Sequence, residues 1–328
     1  MKTKIVYVIT STPKDIYLEQ TYVSVYSLRK HNKDAHVVLL TDDKTNETLT
    51  GNRAKILELI TEKKVVEFDK DMSNLRRSRY LKTSMRNIVD GDFIYIDGDT
   101  IINAPLDELD SFKDELCAVD DAHMTLDKHF SKADLMRRAK TLGFNIESEI
   151  HNFNGGVMYV KDTPTTREFF SKWHENWKRS MKKGINLDMP ALMQTNIEMG
   201  HIIKDMGGQW NCQIYFGFTY MMEAKIIHYF ASVYTGSNGG YVYYFANPEA
   251  FKSLKETGII SKELEGNINH PLSCFQLPGE LVGGTDVSII NSHVYGAIRI
   301  IYKKAPKLYS FAESMLYQVN RVRKGWAK

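Results

Sequence analysis

Cysteine is scarce in this chain. Cys117, Cys212 and Cys274 are its only three in 328 residues, too few and too scattered for a disulfide framework or a thiolate zinc site. A reducing compartment fits that usage. No Pro/Gly/Ser-rich or low-complexity stretch divides the sequence, and no internal repeat is visible; a flexible linker between domains is therefore not expected. Long apolar runs are absent too. The Met-Lys-Thr-Lys start resembles the charged head of a signal, but the run after it, IVYVI, is five residues long. That is too short for a signal core or a membrane span, so a cytoplasmic protein is expected.

What is present suits an ordinary soluble globular chain: 43% hydrophobic, 11% aromatic and 25% charged, enough to bury one large core. Net charge is +3, but residues 299–328 hold eight Lys or Arg against the single Glu313, for +7, so the remainder carries −4. The tail interleaves Tyr309, Phe311, Leu316, Tyr317, Val319 and Trp326 with Arg321, Arg323, Lys324 and Lys328. Such a mixture suits a helix lying on an anionic membrane surface. No nucleic-acid motif accompanies the charge, so nucleic acid is not expected as a partner.

Apolar, β-branched runs at 4–11, 36–43, 64–68 and 93–97 read as buried strands, with helical patterns near 17–31, 50–60 and 75–88 between them. Strands alternating with helices predict a doubly wound, mostly parallel sheet, whose ligands bind beyond the carboxyl ends of the strands. Farther on, 151–161 and 225–231 read as strands. Helices are expected near 164–182, 189–199, 248–257 and 302–323. Residues 1–245 are expected to form the catalytic domain, and 246–328 a helical, basic C-terminal extension.

One stretch, FIYIDGDTIIN (93–103), ends an apolar run on Asp97-Gly98-Asp99. Positions i and i+2 of a strand share a face, so the two carboxylates can converge, and held close they repel unless a cation bridges them. Gly98 lets a ligand or metal come near the backbone. Hard oxygen ligands of this kind suit Mg²⁺ or Mn²⁺, with substrate phosphates completing the shell. A solvated Asp-Gly turn is the plain alternative.

The segment YLKTSMRNIVDGDFIYIDGDTIINAPLDEL (80–109) resembles the core of the family-eight glycosyltransferases, which include glycogenin. ITSTPKDIYLEQTYVSVYSL (9–28) is similar to that family's nucleotide-binding first loop, FNGGVMYV (153–160) to its Phe-Asn-(Ala/Ser)-Gly-Val strand, LDMPAL (187–192) to its Asp-Gln-x-x-Leu helix start and IIHYF (226–230) to its late His strand. These pieces keep the family's order across residues 5–235. The resemblance implies a sheet of GT-A type and a retaining, metal-dependent hexosyl transfer. The donor would be a nucleotide diphosphate sugar, with UDP expected, and the acceptor a glycan or lipid-linked saccharide.

By the same resemblance, Asp97, Asp99 and His228 would bind Mn²⁺ (or Mg²⁺), and Lys82 would sit near the diphosphate, with Arg76, Arg77 and Arg79 as rivals. Thr10, Ser11 and Tyr17 would hold the base. Gly98, Asn154, Gly155 and Asp188 would meet the donor, and Asp120 or Asp121 the ribose or sugar. Asp188 could also cap the helix begun by Met189-Pro190. Front-face displacement is the expected mechanism; a covalent intermediate on Asp188 is the alternative. Two departures stand out. Met189 replaces the family's Gln, and no Gly-x-x-Lys-Pro-Trp follows the His strand, where Ser237-Asn238-Gly239-Gly240 is a conceivable substitute. Asn291-Ser292-His293 is a reserve source of the metal ligand. Rival readings are a haloacid-dehalogenase-like phosphatase, whose motif closes the first strand rather than about the fourth, and a non-catalytic sugar- or nucleotide-binding relative.

Overall fold

The structure is a computed structural model that describes residues 1–69, 71–146, 149–231, 243–275 and 288–326, with side chains described through residue 319. Its centre is a sheet of seven strands: β1 (Lys4–Ile9), β2 (Val37–Asp42), β3 (Glu62–Val66), β4 (Phe93–Ile96), β6 (Leu116–Asp120), β7 (Phe153–Val160) and β8 (Lys204–Asp205), in the order β3-β2-β1-β4-β7-β6-β8. Strands β3, β2, β1 and β4 run parallel. Strand β7 runs antiparallel to both β4 and β6. The short apolar run behind the N-terminus is thus an interior strand, with β2 on one side and β4 on the other. A second sheet joins β5 (Thr100–Ile102), β10 (Ile226–His228) and β9 (Cys212–Gln213).

Alternation along the strands builds a core on each face of the main sheet. Val6, Val38, Leu40, Phe93 and Tyr95 pack with Trp173 and Trp177 on one side. Ile5, Tyr7, Leu39, Ile94 and Ile96 pack with Leu18, Val25 and Leu28 on the other. The latter belong to α1 (Tyr17–His31), the former to α5 (Pro164–Lys182). A third cluster places Ile101, Ile227 and Tyr229 against Tyr243, Phe245, Phe251, Leu254 and Leu264.

Helix α3 (Asn74–Ser84) is capped by Ser73, whose side chain accepts from the Arg76 N–H. It is pinned to the end of β2 by Arg77, which is fully buried and pairs with Asp42 at 2.8 Å. Removing one partner of such a pair strands a buried charge, so Arg77 is a structural cation and leaves the list of phosphate contacts.

Two expected helices come out differently. Residues 51–58 form a 3₁₀ segment in which only Ile56 is buried, too little apolar stripe to hold a longer helix. The expected single helix at 302–323 is two, His293–Lys304 and Pro306–Trp326. Pro306 lacks an N–H and drives Ala305 out of the helical region, to φ −139° and ψ 61°. No helix among the described residues is long and apolar enough to cross a membrane. Cys117, Cys212 and Cys274 are free and buried.

Candidate functional site

Strand order reverses at β1: the chain moves outward through β2 and β3, then returns to the other side of β1 with β4. A crevice opens at such a switch point, beyond the carboxyl ends of the two strands. Thr10 ends one of them and Asp97 the other. The cleft there has a volume of about 470 Å³. Of the residues expected to hold metal or donor, Thr10, Tyr17, Lys82, Asp97, Gly98, Asp99, Asn154, Gly155, Asp188 and His228 all line it. Ser11 does not. It is 2% exposed, and its hydroxyl accepts from the Arg53 guanidinium at 3.2 Å and donates to Asp15 at 2.7 Å.

Asp97, Asp99 and His228 each offer a ligand atom, and these atoms all lie within 4.8 Å of one another. Pairing in the small sheet brings them together across the sequence. His228 on β10 faces Thr100 on β5 in antiparallel register, the Tyr229 N–H donates to the Asp99 carbonyl at 3.1 Å, and His228 Nε2 lies 3.3 Å from Asp99 Oδ1. Burial opposes ionisation of Asp99, yet His228 and the Ala231 N–H outweigh it and hold the carboxyl below its usual range. Burial likewise opposes charge on His228, and Asp99 outweighs it, so the ring titrates above its ordinary value. Two carboxylates and one imidazole form a donor set that fits a divalent ion such as Mn²⁺. Among the described residues no other group of this kind occurs; His293 instead opens a C-terminal helix whose cap is Ser292.

Two cations and an acid line the same cleft. Arg79 and Lys82 stand three residues apart on α3 and therefore share a face. Arg79 Nε lies 3.2 Å from Asp188 Oδ1, and Lys82 Nζ lies 3.5 Å from Asp188 Oδ2 and 3.4 Å from Asp97 Oδ2. Lys82 also rests over the ring of Tyr95, 5.2 Å from its centroid, and the Tyr95 hydroxyl donates to Asp97 Oδ1. Asp188 precedes α6 (Met189–Glu198) but makes no side-chain cap bond; its carboxylate serves the two cations instead. Its carbonyl is held by the Trp173 indole N–H at 3.2 Å.

Burial alone would raise the Asp188 pKa, but Arg79 and Lys82 bring it below the ordinary value. A carboxylate depressed in the folded state stabilises the fold above its unfolded pKa of about 4, and that stabilisation fades as pH falls through the folded value. Asp188→Asn is accordingly expected to cost about 2 kcal/mol at neutral pH. The cost should shrink as pH falls through the folded-state value, where the wild-type carboxyl itself becomes neutral. Denaturant midpoints across that range check it; a difference that grows in acid would contradict the pairing.

The glycine pair acquires distinct roles. A Cβ on Gly156 would stand 2.6 Å from His228 Cε1 and 2.8 Å from both Asn154 Oδ1 and Asp97 Oδ2. On Gly155 it would meet Lys82 only at 3.5 Å, across the cleft. Register between β6 and β7 jumps here, from Val119 opposite Asn154 to Ala118 opposite Met158. The extra residues make a bulge that sets Gly156 against Asp97 and His228 and Gly155 against Lys82. Gly98 is close-packed for another reason, since a Cβ there would strike the Thr21 hydroxyl of α1.

Asp120 and Asp121 lie one layer behind the cleft. Asp120 pairs with His151 at 2.8 Å, and Asp121 with His129 at 3.1 Å and the Asn154 amide at 2.7 Å. Sequence patterns gave no sign of Asn211, which is fully buried and accepts at its Oδ1 from His228 Nδ1 at 3.0 Å, or of Phe230, whose ring stacks on His228 at 4.0 Å. Phe230 lines the cleft with φ +49°, a conformation uncommon outside glycine and concentrated at functional sites. Tyr95 could have been found, because it stands two residues before Asp97 on one strand face. Residues 237–240 lie outside the described residues.

The model of Glycosyl transferase family 8 matches residues 8–233. No curated protein sequence matches the chain. Among solved structures, the galactosyltransferase LgtC in complex with donor and acceptor sugar analogues is 13% identical. The alignment covers 80% of this chain and 99% of that one, with a TM-score of 0.51. An active-site mutant of LgtC is 14% identical over 85% of this chain and 98% of that one, at a TM-score of 0.50. Mouse xyloside xylosyltransferase 1, in its apo form, is 13% identical over 70% and 97%, at 0.46. The two LgtC likenesses agree with a GT-A sheet.

Proposed function

The chain belongs to glycosyl transferase family 8 and is a glycosyltransferase, and from that premise we propose a divalent-ion-dependent, retaining transfer of a hexose from a UDP-sugar to a glycan or lipid-linked saccharide. The observation that carries the reading is the convergence of Asp97, Asp99 and His228 within 4.8 Å on one wall of the switch-point cleft. A Mn²⁺ or Mg²⁺ ion held by those three side chains would neutralise charge developing on the leaving diphosphate. Lys82 and Arg79 face the same space and add positive charge where the phosphate departs. Tyr17, 54% exposed at the mouth of the cleft, stacks on the base, Thr10 meets it beside the strand end, and Ser11 braces that loop from behind.

Asp188, locked between two cations and with a lowered pKa, is a poor nucleophile. That favours front-face displacement: the C1–O bond to the diphosphate breaks, the C1–O bond to the acceptor forms on the same face, and the acceptor proton passes to the departing phosphate. A phosphatase reading finds no support in the family match. The test is a screen of nucleotide sugars for nucleotide release with Mn²⁺, with Mg²⁺ and with chelator. Release that needs the ion supports the proposal; no release from any donor under any of these conditions sinks it.

The C-terminal helices carry the proposal's second part, with residues 1–245 as the catalytic domain and 246–328 as the extension. Val294, Ile298, Ile300, Tyr302, Leu308, Phe311, Met315, Leu316, Tyr317 and Val319 are all more than 40% exposed, and Arg299, Lys303, Lys304 and Lys307 are exposed among them. Charge and apolar surface together match an anionic lipid face, worth about 1 kcal/mol for each basic residue near it; the inner face of the plasma membrane and a cell-surface polysaccharide acceptor follow as the setting. The side chains of Arg321, Arg323, Lys324, Trp326 and Lys328 lie outside the described ones. The whole chain is expected to sediment with phosphatidylglycerol vesicles at least about tenfold more than with phosphatidylcholine, and to release with salt. Phe311→Asp with Leu316→Asp should abolish that binding. Equal binding to both vesicles would remove the membrane from the proposal.

A further inference from the structure

We propose that Asn211 is a positioning residue that fixes which nitrogen of the neutral His228 ring carries the proton, leaving a lone pair toward the carboxylates; this rests on reading Asp97, Asp99 and His228 as a metal site. The argument follows hydrogen-bond polarity along a buried chain. The Ser131 backbone N–H donates to His129 Nδ1 at 3.1 Å. That nitrogen must accept, so the His129 proton is on Nε2, which then donates to Asp121 Oδ2 at 3.1 Å. Asp121 Oδ1 accepts from Asn154 Nδ2 at 2.7 Å. The Gly156 backbone N–H, at 2.8 Å, independently requires that Asn154 present Oδ1 on its other side.

With Oδ1 of Asn154 an acceptor, only the amide nitrogen of Asn211 can face it, and the two lie 3.1 Å apart. Asn211 therefore turns its own Oδ1 to His228 Nδ1, at 3.0 Å. An acceptor there demands a proton on Nδ1. In the neutral ring the lone pair is left on Nε2, the atom 3.3 Å from Asp99 Oδ1. Every side chain between Asp121 and His228 in this relay is buried, so water does not compete for its bonds. A relay anchored on two backbone N–H groups thus selects the tautomer of His228 before any ion arrives. Outer partners of this kind typically govern metal affinity by 10- to 100-fold, on the order of the effect expected here.

The test has two readouts. In the metal-free protein labelled with ¹⁵N-histidine and held at alkaline pH, where the ring is neutral, His228 should show its proton on Nδ1. Its resonance is assigned by its loss in His228→Gln. In Asn211→Leu the tautomers should mix, and the Kd for Mn²⁺, measured by calorimetry, should rise about 10- to 100-fold. A wild-type proton on Nε2, or an Asn211→Leu Kd equal to wild type, overturns the proposal. The wild-type tautomer needs no variant to fold and no ion to bind. If the wild-type protein binds no divalent ion, the metal reading fails separately, and the tautomer still decides the relay.

Discussion

Asp97→Asn is expected to cut sugar transfer by about a thousandfold or more, equivalent to about 4 kcal/mol of transition-state stabilisation. The substitution keeps the shape of the side chain and an oxygen to accept from Tyr95, so the strand end should stay folded. Its charge is what disappears. Asp97 is one of three side chains around the candidate ion, and its Oδ2 also faces Lys82 at 3.4 Å. The loss therefore falls twice, on holding the ion and on holding the lysine. Initial rates of nucleotide release at saturating donor, taken beside Mn²⁺ titrations, check it. Turnover near the wild-type rate with an unchanged Kd for Mn²⁺ would take Asp97 out of the chemistry. Loss of activity with a collapsed melting temperature would point to folding instead, so a thermal melt belongs in the same experiment.

Gly156→Ala is expected to be nearly as damaging by a steric route. The added methyl has three neighbours at 2.6 to 2.8 Å, His228, Asn154 and Asp97, and none is the free end of a flexible chain. His228 is bonded to Asn211, Asn154 to Asp121, and the Asp97 N–H donates to the Gly156 carbonyl at 2.7 Å. Relief must come from displacing the candidate ligands. Overpacking of this kind costs about 1–3 kcal/mol of stability, and misplacing reacting groups by about 1 Å can cost a hundredfold in rate. Gly155→Ala is the matched control: its methyl meets Lys82 at an ordinary 3.5 Å, so the fold and Mn²⁺ affinity should survive. Equal Mn²⁺ affinities in the two variants would show that the candidate ligands tolerate the methyl.

Much of the fold was legible because its signals are local. The continuous apolar runs of β1, β2 and β4 reflect strands buried on both faces, and the three-and-four spacing of α1 reflects one face that must be buried. The bulge at Gly155-Gly156 left a trace as well, since the chain spends two glycines inside a strand that is otherwise apolar. Less local features were missed or misplaced. The basic residues Arg76, Arg77, Arg79 and Lys82 are equivalent in composition; the helix phase sends Arg77 to Asp42 and turns Arg79 and Lys82 to the cleft. Asp188 looks like a helix cap by position, and two cations from α3 claim it instead.

By itself the sequence determined the alternating strands and helices, the placing of Asp97 and Asp99 together just past the end of β4, and the family pattern that marks His228. Those follow from side-chain periodicity and short spacing, which any chain must obey before it folds. Only the tertiary structure decided that His228 stands 3.3 Å from Asp99, that Gly156 leaves room for both, and that Asn211 orients the ring. These depend on β10 pairing with β5 across more than a hundred residues. Which buried amide faces which imidazole nitrogen is settled by hydrogen-bond polarity in three dimensions, and no spacing along the chain encodes it.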